Sequence, residues 1–110
     1  MRDWTALRQR YQQDEPAVRL GSLASNLNRI AWYAQRANQA DAGAIFRESK
    51  YFTEWAAPRC DEVNLARLAQ IQRALAAWER SWTDAPSRVG AASEAERWSD
   101  ELLRVAGLTN

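Results

Sequence analysis

The 110-residue sequence contains no histidine. Histidine is the usual general acid or base near neutral pH and the commonest metal ligand, so its absence removes Ser-His-Asp and Cys-His catalysis. It also removes the Glu-x-x-His pairs of di-iron helical proteins and the arginine-to-histidine motif of RNase-like helical domains. One cysteine, Cys60, can neither close an internal disulfide nor, without histidine, complete a structural zinc tetrahedron. The four glycines stand singly at 21, 43, 90 and 107 and form no phosphate-cradling loop. No apolar run approaches the roughly 18 residues of a membrane span, and Met1-Arg2-Asp3-Trp4 opens no apolar signal stretch. The expected setting is the cytoplasm, with no membrane contact. Lysine is scarce as well: Lys50 stands beside 14 arginines, which reads first as coding bias and second as a supply of bidentate groups.

What is present is the composition of an ordinary folded chain, 46% apolar and 26% charged, with room for one modest core and no second domain. Strand signals are nearly absent, and punctuation and periodicity point to helices throughout. Asp3 caps a short first helix carrying Trp4, Leu7 and Tyr11, which Asp14-Glu15-Pro16 interrupts. Pro16 suits the first turn of a second helix whose stripe is Leu20, Leu23, Leu27, Ile30 and Ala34, widened by Ala24 and Ala31. After a connection at Asn38–Asp41, Asp41 is the expected cap of a third helix running to Pro58, with Ile45, Phe46, Ser49, Phe52 and Ala56 inward. Asp61 caps a fourth, the most regular, with Leu68, Ile71, Leu75, Trp78 and Trp82 at alternating steps of three and four. A linker of about ten residues from Asp84 is expected next. Ser93 and Glu96 then form a capping box opening a last helix with Ala95, Trp98, Leu102 and Val105 inward and Gly107 as its stop. The fold class expected is all-α: an antiparallel bundle of four main helices plus a short N-terminal one, over residues 1–110.

Carboxylate chemistry finds little support. Glu48 and Glu54 are six residues apart and fall on different faces. Glu96 and Asp100 share a face, but Asp100 with Arg104 and Arg97 with Glu101 read as surface ion pairs. Cys60 sits beside Arg59 at the start of the fourth helix, a place that can lower a thiol pKa, yet it has no base or resolving thiol nearby in sequence. Packing in a tight corner is the reading. No catalytic residue, metal or cofactor is expected.

Two surfaces stand out. Arg19, Ser22, Asn26, Arg29, Tyr33 and Arg36 form a polar line on the second helix, able to grip phosphates or acidic side chains; the bland alternative is a solvated face. The charge balance gives modest help: +3 over residues 1–38 and −2 over 39–110, within a net charge of +1. Six tryptophans are more unusual. Trp78, Trp82 and Trp98 fall on core stripes and Trp4 can close the bundle end, but Trp32 is off its stripe, and Trp55 lies with Tyr51 on a line adjacent to the Phe46–Phe52 face. Trp32, Tyr51 and Trp55 are therefore the candidate interface, against the alternative of a core wide enough to take them.

The strings RLGSLASNLNRI (19–30) and ESKYFTEW (48–55) resemble small all-helical proteins of cyanobacteria. The resemblance covers about a third of the chain and implies a bacterial cytoplasmic setting, with no activity or site residue attached. The function expected is a non-enzymatic helical interaction module, acting by self-association or as a small subunit of a larger assembly. The alternative is a nucleic-acid-associated accessory subunit using the arginine-lined face, its anion-binding residues being Arg19, Asn26, Arg29, Tyr33 and Arg36.

Overall fold

A computed structural model describes residues 3–36, 42–82 and 84–107, and within them every regular element is helical. The elements are α1 (Trp4–Gln13), α2 (Pro16–Arg36), α3 (Ala42–Ala56), a 3-10 turn (Ala57–Arg59), α4 (Glu62–Arg80) and α5 (Ala85–Val105). The expected Asp41 cap and the connection before it lie outside the described residues.

The caps explain the starts. Asp3, Asp61 and Asp84 each accept a backbone N–H three residues on, at 3.1, 2.8 and 3.0 Å, which satisfies one of the donors a helix leaves unpaired at its N-terminus. Gly107 takes φ +75°, the left-handed backbone that suits glycine just past a helix end. One expected boundary is wrong. The linker before Ser93 does not exist: α5 begins at Ala85, and Ser93 and Glu96 lie inside it. Asp84 with Pro86 and Ser87 supplies the stronger start, because Asp84 accepts from both the backbone and the hydroxyl of Ser87. Glu96, freed from capping, accepts instead from Gln35 at 3.1 Å.

α2 is the central element, packing most extensively on α5 and next on α3, while α4 leans on α3 and touches α5 sparingly. Small residues make the α2–α5 contact close: Ala24, Ala31 and Ala34 on one side and Ala91, Ala92 and Ala95 on the other are all buried, and Ser99 Oγ donates to the Ala24 carbonyl at 2.8 Å. The molecule is flat, 36 × 35 × 22 Å, its short axis about two helix diameters. The expected inner stripes of α2, α3 and α4 are all buried; on α5, Ala95 and Leu102 are buried and Trp98 and Val105 half-buried.

α1 is held at its exit. Tyr11 is buried and donates its hydroxyl to the carbonyls of Arg19 (2.8 Å) and Phe52 (3.3 Å), joining α1, α2 and α3 at one atom. Burial raises the Tyr11 hydroxyl pKa well above the ordinary phenol value, with Arg19 opposing.

Candidate functional site

The candidate interface residues separate into two places. Trp55 is only 7% exposed, so it belongs to the core rather than beside it. Tyr51 is half-buried, stacked on Trp55 with centroids 5.3 Å apart and covered by Trp4 at 4.8 Å. The occupant of this aromatic face is the chain's own α1: Trp4 and Tyr11 complete a ladder with Tyr51, Phe52 and Trp55. Periodicity within α3 left these rings without a neighbour because the neighbour comes from a helix about forty residues away in sequence.

Trp32 differs. It is 48% exposed on α2, with the Arg36 guanidinium 4.0 Å from its ring centroid and Tyr33 edge-on at 5.3 Å. Arg36 also donates to the Trp32 carbonyl at 3.4 Å. Residues that sequence reading divided between two candidate surfaces thus form one cluster: an indole held between a guanidinium and a phenol, facing solvent.

The arginine line is broken. Arg19 is 4% exposed and its guanidinium is spent on the end of α1, donating to the Asp14 carbonyl at 3.0 Å and to the Gln12 carbonyl. A cation here meets the negative end of the helix dipole and caps carbonyls that lack helical donors. Asn26 is buried as well and donates to Glu48 Oε1 of α3 at 3.2 Å. Only Arg29 and Arg36 of the three arginines face solvent, and Tyr33 is half-buried. Asn26 and Arg29 reappear together in a notch of about 220 Å³ between α2 and α3, with Ser22, Ser25, Glu48 and Phe52. Sequence reading put Glu48 on a separate helix line and did not pair it with Asn26.

Other apolar side chains reach the surface on the outer helices: Val63 and Leu65 on α4 and Val89 on α5 are exposed. A shallow groove of about 620 Å³ runs between α4 and α5, floored by Val63, Ala66 and Trp98 and bridged by the Arg67–Glu101 pair at 2.7 Å.

Cys60 is half-buried, its Sγ donating to the Ala56 carbonyl at 3.3 Å. Burial pushes its thiol pKa up, Asp61 pushes it further and Arg19 opposes, so the lowering that a helix start permits is outweighed. Among the described residues no group of three or more Cys, Asp or Glu is placed to hold a metal ion, and no helix is long and apolar enough to cross a membrane. No family model, curated protein or solved structure matches the chain.

Proposed function

We propose that the chain is a non-enzymatic helical interaction module, an antiparallel bundle of four main helices with α1 laid on α3, that works by association in a bacterial cytoplasm. Its first partner is a second copy of itself, and otherwise a larger assembly in which it is a small subunit. The observation that supports this is the Trp32 cluster. An indole left half in water retains unused burial energy, and tryptophan and arginine are the residue types that dominate binding hot spots. Arg36 stacked on the ring also limits its freedom before any partner arrives, which reduces the ordering cost of association. A patch of this kind on one helix can meet its own copy across a two-fold axis.

The nucleic-acid reading has less support, because Arg19 and Asn26 are buried and donate their guanidinium and amide N–H groups to partners inside the protein. Light scattering on the eluting protein tests the proposal. A mass near twice 12.6 kDa, falling to 12.6 kDa on Trp32→Ala, is expected for self-association. A 12.6 kDa wild-type chain at every concentration, with no co-purifying subunit, contradicts it.

A further inference from the structure

From the outer face of α2 we infer that a second copy docks on it antiparallel, about a two-fold axis at Ser25, setting Trp32 of each chain on Val18 of the other. This rests on the self-association reading above and adds to it a direction, a register and a second set of contact residues. α2 is amphipathic along its length. Leu23, Leu27, Ile30 and Ala34 are buried on one side. On the other, Val18, Ser25, Arg29, Trp32 and Arg36 are exposed and Ser22 half-buried, at alternating steps of four and three. That is the spacing of a helix–helix seam, here turned to solvent. Val18 and Trp32, 46% and 48% exposed, are the large apolar side chains of the seam, and each stands seven residues from Ser25. Seven residues are close to two turns, so the three share a line, with Val18 and Trp32 each about 10 Å from its middle.

Shape and charge select the same direction. The middle of the seam is Ser22 and Ser25, small enough to let two helix axes approach closely, while the bulk sits toward one end at Trp32 and Arg36. Turned end for end, each copy lays its bulky end on the slimmer end of the other. The seam also begins at two acids, half-buried Asp14 and exposed Glu15, and ends at exposed Arg36, stacked on Trp32. A parallel pair would face Arg36 with Arg36 and Glu15 with Glu15, and would align two helix dipoles. An antiparallel pair reverses all three. With the axis at Ser25, Arg36 of one copy arrives at the Asp14–Glu15 start of the other, and the symmetry repeats that contact at the opposite end of the interface.

Cysteine cross-linking tests the register on the full chain, in a Cys60→Ala background that light scattering shows to match the wild-type mass. Ser25→Cys puts the two thiols at the axis, within the roughly 7 Å between Cα atoms that a disulfide spans, whereas Val18→Cys sets them about 20 Å apart. Both positions are exposed, so the variants keep the fold. Rapid linkage of Ser25→Cys, with Val18→Cys at least tenfold slower, is expected. Arg36→Glu should weaken dimerisation about tenfold, and adding Glu15→Arg to the same chain should recover part of it. Linkage of Val18→Cys as fast as that of Ser25→Cys would mean a parallel pair and overturn the inference. A dimer in which neither links, or in which Glu15→Arg recovers nothing, overturns it too. Those results leave self-association through Trp32 standing, whereas a monomer at every concentration overturns both.

Discussion

Tyr11 and Arg19 hold each other's backbone. The Tyr11 hydroxyl donates to the Arg19 carbonyl at 2.8 Å, while the Arg19 guanidinium donates to the Asp14 and Gln12 carbonyls at the end of the helix that carries Tyr11. Neither contact needs an opposite charge; Arg19 donates to carbonyls at the end of α1 that lack helical donors, and Tyr11 adds a side-chain donor to a carbonyl in the first turn of α2. The elbow between α1 and α2 is thereby fixed, and with it the cover that α1 places over Tyr51 and Trp55.

Tyr11→Phe should therefore cost about 0.5–1.5 kcal/mol, the net contribution of the buried hydroxyl's hydrogen bonds, while the ring stays. Tyr11→Ala should cost more, about 3–5 kcal/mol, by opening a cavity against Phe52 and Trp55. Urea denaturation of the three chains checks the ranking.

Arg19→Met should destabilise by about 1.5–3 kcal/mol, because a buried charged donor to two carbonyls is lost while the stem is kept. Added salt should change that difference little, since the bonds are buried. An equal loss on Arg36→Met, at an exposed site, would contradict the assignment.

Asp84→Ala should unravel the start of α5, read as faster amide exchange over residues 85–92, whereas Ser93→Ala should leave exchange there unchanged. The hydrogen bonds from Ser87 hold the Asp84 carboxyl below the ordinary aspartate range, so it is a group with a depressed folded pKa. Its contribution is complete above the unfolded value and is lost as pH falls through the folded one. Exchange of this segment should quicken in acid in the wild type and depend less on pH in Asp84→Asn.

These contacts mark where the sequence is legible and where it is not. Stripes such as Leu68–Ile71–Leu75–Trp78 are readable because burial on one helix follows a local period of 3.6, and caps such as Asp61 because the bond closes within three residues. The start of α5 is misread because Ser93 and Glu96 match a capping box that Asp84 and Ser87 pre-empt, and because the alanines before Ser93 look like a linker until α2 packs on them. Arg19, Trp55 and the Asn26–Glu48 pair are decided by partners on other helices, and no periodicity within one helix reports those.

Cys60 should react slowly. Its raised pKa and half-buried sulfur predict modification by a charged disulfide reagent at pH 8 several-fold slower than a free thiol, accelerating as pH rises or as urea opens the corner. Reaction faster than a free thiol would mean that the helix start and Arg59 prevail over burial and Asp61.

The central claim, that Trp32 is the contact residue, is tested most directly by the indole N–H resonances of the six tryptophans across a dilution series, with the Trp32 signal assigned by its absence in Trp32→Phe. The Trp32 resonance is expected to move with concentration while those of the buried Trp55 and Trp78 stay in place. A Trp32 resonance fixed at every concentration, while light scattering reports a dimer, would contradict it and move the interface elsewhere on the molecule.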